Sequence, residues 1–176
     1  LHALLCRSRD DAAALQERTK VQCLYFGFRF AYNSAGQARY VIVITPDGRY
    51  IAFSSAWRAP GARNLVRHIV LYDRTTGGLT RVDKTPDGGE PELGSGGARI
   101  SPDGTHIAFE SFSNDLVEGD TGGKDIFDYD IATKRIRRVT ETPDGTTPND
   151  TSWEADVSAG GRYVTFSSDA TDLVDG

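Results

Sequence analysis

TPDGRYIAFSS at residues 45–55 and SPDGTHIAFES at residues 101–111 are one phrase written twice, with seven of eleven positions identical at an offset of 56. Working outward, IVLYDRTTGGLTRVDKTPDG at 69–88 matches IFDYDIATKRIRRVTETPDG at 126–145, with ten of twenty identical at an offset of 57. SAGGRYVTFSSDATDLVDG at 158–176 matches SPDGTHIAFESFSNDLVEG at 101–119, with eight of nineteen identical. Three collinear matches at one period establish an internal repeat, and that repeat has to be read before any local pattern.

Within each copy the residues alternate as strands do. Ile51 and Phe53 share one face and Tyr50 and Ala52 the other; Ile107 with Phe109, and Val164 with Phe166, repeat the first face. Pro-Asp-Gly supplies the turn: Pro presets φ, Asp hydrogen-bonds its own backbone and Gly accepts positive φ. The stretches 40–44 and 98–100 predict a strand before that turn. HIVLYD (68–73) and DIFDYD (125–130) predict a third strand, and LTRVDK (79–84) and IRRVTE (136–141) a fourth. One small sheet cannot bury both of its faces. Four antiparallel strands repeating at this length are therefore the mark of a β-propeller blade, whose faces are covered by neighbouring blades. The expected class is all-β, a partial propeller, with a short N-terminal segment containing one helix.

Composition narrows the function classes. The 176 residues suit about one domain. With 20 basic against 25 acidic residues, the net charge of −5 removes the usual electrostatic argument for binding nucleic acid or an anionic membrane. Two cysteines exclude a disulfide-dense scaffold. No apolar run is long enough for a membrane-spanning helix. The chain divides near residue 45. Residues 1–44 carry six basic and three acidic residues, the remainder 14 and 22, and all seven prolines lie in the remainder. Asp10 to Lys20 reads as a helix capped by Asp10, and the aromatic run at 21–32 as a strand. LHALLC at the start is too short for a signal peptide. The chain has no methionine, even at position 1, and this reads as an excised or incomplete product.

SPDGTHIAF, DIFDYD and RRVTETPDG together resemble the TolB-like propeller repeat. There a Ser-Pro-Asp-Gly turn leads into an Ile-Ala-Phe strand, an apolar strand ending in Tyr-Asp, and an Arg-Val-Thr strand. The resemblance covers residues 45–176, with Ala159 and Gly160 replacing Pro-Asp in the third copy. The loop at 112–125 resembles a long loop of secreted bacterial members with longer blades. The resemblance implies a bacterial protein of the periplasm or exterior that binds a protein partner through loops at one mouth. Such rings usually have six blades. This chain then represents about two and a half, completed by the rest of a parent protein or by self-association. The expected division is residues 1–30 as an N-terminal segment and 31–176 as the partial propeller, with blades at about 40–96, 97–153 and a truncated 154–176.

Motifs for chemistry are sparse. HExxH, CxxC, GxGxxG and GxSxG are all missing. Of the three histidines, His2 lies in the N-terminal part and His68 begins a strand. His106 stands where the other copies have Tyr50 and Tyr163, which makes it a packing residue in the simplest reading. The loop bearing Asp115, Glu118, Asp120 and Asp125 is the metal candidate, because carboxylates spread through a Gly-rich loop could wrap Ca²⁺. Its spacing departs from the EF-hand pattern and Lys124 would repel a cation, so a solvated acidic loop held by Asx turns competes with that reading. Cys6 and Cys23 are a possible disulfide or simple thiols. Trp57 and Trp153 are packing residues or a stacking platform for carbohydrate or peptide. Lys134, Arg135, Arg137 and Arg138 are basic but split between strand faces. Asn149 to Thr151 is a glycosylation sequon.

These features predict a non-catalytic module for protein–protein interaction, with specificity in the loops at 56–67, 89–97, 112–124 and 146–153, and with no cofactor. The alternative is a propeller accessory domain of a larger secreted hydrolase, such as a prolyl oligopeptidase-like peptidase. An independent enzyme would need a convergent His/Asp or Tyr/Arg group at the inner strand ends.

Overall fold

Each repeat opens with a side chain that closes its own turn. In the first, Thr45 Oγ1 donates to Asp47 Oδ1 and Gly48 N to Thr45 O, while Thr45 Oγ1 accepts from Tyr50 N. In the second, Ser101, Asp103, Gly104 and His106 reproduce the arrangement. The third keeps it without Pro-Asp, through Ser158, Gly161 and Tyr163. In the computed structural model, which describes residues 42–57 and 66–174, these turns join the strands of three antiparallel sheets. The helix expected from Asp10 to Lys20, the strand at 21–32, His2, Cys6 and Cys23 lie outside the described residues, as does the loop at 58–65.

The first sheet contains β1 (Ile42–Ile44), β2 (Tyr50–Trp57), β3 (Val66–Asp73) and β4 (Gly78–Arg81). The second contains β5 (Ser95–Ile100), β6 (His106–Ser111), β7 (Asp125–Asp130) and β8 (Arg135–Arg138). The third pairs β9 (Ser152–Val157) with β10 (Val164–Ser168). In both four-stranded sheets the spatial order follows the sequence order, as hairpin connections dictate. The register is also repeated: Ile51 faces Tyr72 in the first sheet, and Ile107 faces Tyr129 in the second.

Two cores lie between the sheets. Ala52, Ile69 and Leu71 of the first sheet meet Ile107, Phe109, Phe127 and Tyr129 of the second. Phe109 and Phe127 are fully buried and stack with centroids 5.6 Å apart. Burying each ring stabilises the fold by roughly 2–3 kcal/mol. On the opposite face of the second sheet, Ala108 and Ile126 meet Ala155 and Val157, with Val164 and Phe166 beside them. The middle sheet is thus covered on both sides. This is the blade-like packing that the alternation predicts, and the described sheets do not close into a ring.

Candidate functional site

Antiparallel order places connections of two kinds at opposite ends of the stack. The turns at 45–49, 74–77, 101–105, 131–134 and 158–163 occupy one end. The long connections 82–94, 112–124 and 139–151 share the other, together with residues 169–174. Long loops on a rigid scaffold are where binding surfaces are built.

These loops are locked together. Asp115 accepts from Glu92 N at 3.0 Å, and Ser113 Oγ accepts from Leu93 N at 3.0 Å. One period later, Asp172 accepts from Asn149 N at 3.1 Å, and Asn149 exchanges two further bonds with Thr171. The Asp of Asp-Leu-Val is therefore a clamp on the preceding loop. Leu116 beside it is buried as an anchor. Leu93 and Phe112, by contrast, are half exposed on this end.

Beneath the loops lies a polar network whose architecture repeats while its chemistry changes. In the first unit Asp83 accepts from Ile69 N at 3.2 Å and bonds His68 Nδ1 at 3.0 Å. In the second, Thr140 Oγ1 accepts from Ile126 N at 3.1 Å and donates to Asp125 Oδ1 at 2.6 Å. His68 corresponds to Asp125 and Asp83 to Thr140. An arginine ending the fourth strand staples the loop above in both units. Arg81 reaches Glu90 and the carbonyl of Gly89, and Arg138 reaches Thr147 and the carbonyl of Gly145. Arg138 also pairs with Asp120 at 3.2 Å, both side chains being almost wholly buried. Burial pushes the Asp125 carboxyl up to about 6; Asp120 adds to the rise, while Thr140 and Arg138 oppose it.

The calcium candidates Asp115, Asp120 and Asp125 are thus each engaged by protein donors: Glu92 and Ser113, Arg138, and Thr140. Among the described residues no group of three or more His, Cys, Asp or Glu side chains is placed to hold a metal ion. Within that loop Glu118 is exposed, while Asp125 and the side chain of Asp120 are buried and Arg138 pairs with Asp120.

The structure also reveals two His–Asp pairs that sequence spacing hides. His68–Asp83 is one; His106–Asp128 is the other, at 3.1 Å, with Arg137 Nε donating to Asp128 at 2.9 Å. His106 is nonetheless a packing residue as well, since Gly161 lies against its ring. Ser55 stands opposite His68 in the β2–β3 register, so a serine, a histidine and an aspartate sit side by side. Its buried Oγ makes no hydrogen bond, to His68 or otherwise, and the trio lies in the interior, with the His68 side chain only 3% exposed. The second unit has Ser111, Asp125 and Thr140 at the same places. The feature the two units share is a buried polar pair at the strand ends that accepts a strand amide.

Between the second and third sheets, Glu110 links three segments. It accepts from Lys124 Nζ at 3.0 Å and from Glu154 N at 2.7 Å, and it presses against Gly97. Gly97 and Glu154 are equivalent bulge positions and share a positive φ, 63° and 57°. Lys124 also lies 5.9 Å from the Phe112 ring centroid and 5.8 Å from that of Trp153. Arg137 is largely exposed and Arg138 buried, so the basic residues of β8 form no continuous patch.

The fold and site together define an all-β, propeller-like stack of small antiparallel sheets with its long loops fastened at one end. No family model matches the chain, and no curated protein matches it. Among solved structures it is similar to the hydrazine synthase of Kuenenia stuttgartiensis, at 11% identity and a TM-score of 0.39, over 78% of this chain and 46% of that one. The chain spans less than half of that structure's length, and a likeness at this level bears on neither activity nor substrate. No helix among the described residues is long and apolar enough to cross a membrane.

Proposed function

We propose that the chain is a non-catalytic, TolB-like binding module that engages a protein partner through its long-loop end, in the periplasm or outside a bacterial cell. The observation that carries this reading is the fastening of successive loops by Asp115 and Asp172, which presents the half-exposed Leu93 and Phe112 on a frame that does not need ordering on contact. A preorganised surface loses less conformational entropy on binding. Phe112 beside Lys124 gives a contact that is apolar and polar at once, the kind of mixed anchor that protein interfaces use.

Site-specific photo-crosslinking tests the reading. A photoreactive residue at position 112 is expected to capture a discrete partner in extract of the native host. The yield should fall with excess unlabelled chain and with Leu93→Glu. The same residue at Thr133, on the short-turn end, is expected to capture none. Equal capture from both ends, or none from position 112, sinks the proposal.

A further inference from the structure

Charge is divided unevenly between the two ends of the stack. Among the described residues of the long-loop end eight carboxylates are exposed: three in 82–94, one in 112–124, three in 139–151 and one in 169–174. One ammonium, that of Lys84, is exposed with them. Arg81 pairs with Glu90, and the other seven carboxylates have no cationic partner among the described residues. The short turns at the opposite end expose four cations, Arg49, Arg74, Lys134 and Arg162, against two carboxylates, Asp47 and Asp103. Net charge kept for solubility has no reason to collect at one end. The surplus does not depend on the outer sheets. The connections after β6 and β8 of the middle sheet, which is covered on both faces, expose four of the carboxylates and no cation. Arg58 and Arg63, in the connection outside the described residues, are too few to reverse the balance.

An apolar patch is set in this field. Leu93 and Phe112 are half exposed, and Phe112 N donates to the carbonyl of Gly94, beside Leu93, at 3.3 Å. Both flank strands of the middle sheet, so neither owes its exposure to the first or last one. Glu92 adjoins Leu93, with its amide held by Asp115, and Glu118 follows the buried Leu116 in the same loop as Phe112; both glutamates are exposed. The patch also shows what its rings accept. The Lys124 ammonium lies 5.9 Å from the Phe112 centroid and 5.8 Å from that of Trp153, and Glu110 holds it at 3.0 Å. Aromatic faces attract cations through their ring electrons, and more strongly as water is excluded. The half-exposed Phe112 can take a second cation, this one from outside the chain.

We infer that the partner is basic: the Leu93–Phe112 patch docks a polypeptide segment that brings an apolar side chain for the patch and lysines or arginines for the carboxylates around it. The inference rests on the long-loop end being the binding surface and adds the chemistry of what binds there. Apolar contact supplies affinity at the centre, while the surrounding carboxylates speed encounter and reject acidic competitors.

The probe is a short fluorescent peptide that alternates lysine with leucine and phenylalanine, titrated with the full chain and read by anisotropy. Two relatives separate the terms: one has glutamate in place of lysine, the other serine in place of the apolar residues. The first peptide is expected to bind, and to weaken about tenfold or more as salt rises from about 0.05 M to about 0.5 M. Both relatives should bind at least about tenfold more weakly. Two double variants, each changing only exposed side chains, then locate the charge. Glu92→Gln/Glu118→Gln should weaken the first peptide about 3- to 10-fold. Ala132→Lys/Ala159→Lys shifts the net charge by the same amount at the short-turn end and should change binding by less than about twofold. No binding of the basic peptide, equal binding of the glutamate peptide, or equal weakening by the two double variants overturns the inference. A partner captured from position 112 whose yield is indifferent to salt also overturns it, while the loop-end reading stands. No capture from position 112 removes that reading and this inference together.

Discussion

If contacts between repeats depend on glycine for want of space rather than for backbone freedom alone, three glycine-to-alanine changes will separate the two effects. Gly145, Gly104 and Gly161 all have positive φ, at 81°, 69° and 63°. A Cβ at Gly145 meets nothing within 4 Å, while one at Gly104 would lie 2.9 Å from Tyr50 Cδ2 and 3.2 Å from Thr45 Cγ2. At Gly161 three atoms of the His106 ring would lie within 2.6 Å. Alanine in the left-handed region costs about 1–2 kcal/mol, partly offset by about 0.4–1 kcal/mol from the stiffer unfolded chain. Gly145→Ala should therefore destabilise by about 1 kcal/mol. Overpacking adds about 1–3 kcal/mol, which puts Gly104→Ala at about 2–3 kcal/mol and Gly161→Ala at about 3–4 kcal/mol. Urea unfolding at constant slope measures all three. In the double mutant His106→Ala/Gly161→Ala the ring is gone, so the two penalties should fall short of additivity by about 1–2 kcal/mol. Equal losses at the three positions, or strict additivity in the double mutant, would refute the argument that the units are locked by ring-to-glycine contact.

Two further predictions concern the network under the loops. Asp125 has its carboxyl raised to about 6, chiefly by burial, so folding favours its protonated form; the stability this gives is complete at low pH and is lost as pH rises from about 4 to about 6. Asp125→Asn should therefore raise stability by about 1–2 kcal/mol above pH 6, after allowance for solvent screening, and leave it unchanged below pH 4. Thermal unfolding across that range will show the wild-type slope flattened, and an unchanged slope would count against it. Arg138→Leu leaves Asp120 buried without its partner and should cost about 3–5 kcal/mol. Limited proteolysis should then cut first within 139–151, the loop that Arg138 fastens through Thr147 and the Gly145 carbonyl.

The repeat period carried the strand order, the hairpin turns and the alternation of core residues, because those depend on contacts within one unit. β3 begins at Val66, two residues before the stretch its apolar pattern marks, since pairing with Trp57 extends it beyond that stretch. The site was harder to read. Asp120 reaches Arg138 from a loop whose path no periodicity encodes, so the sequence placed Arg138 only on one face of its strand, among four basic residues, and gave it no partner. His68 and Asp83 are separated by a hairpin, and their partnership shows only when both are compared one period onward with Asp125 and Thr140. The Asp-Leu-Val-Glu/Asp-Gly phrase was visible, but acidic residues in a Gly-rich loop look alike whether they await a cation or hold a neighbouring amide.

The exchange of His68–Asp83 for Asp125–Thr140 has an evolutionary consequence. Each pair includes the acceptor for a strand amide, so neither position can drift alone without orphaning its mate in the interior. After duplication the copies could diverge here only by paired replacement, or through a less stable intermediate. Chimeras that trade one member between units should express poorly, whereas those that trade both should survive.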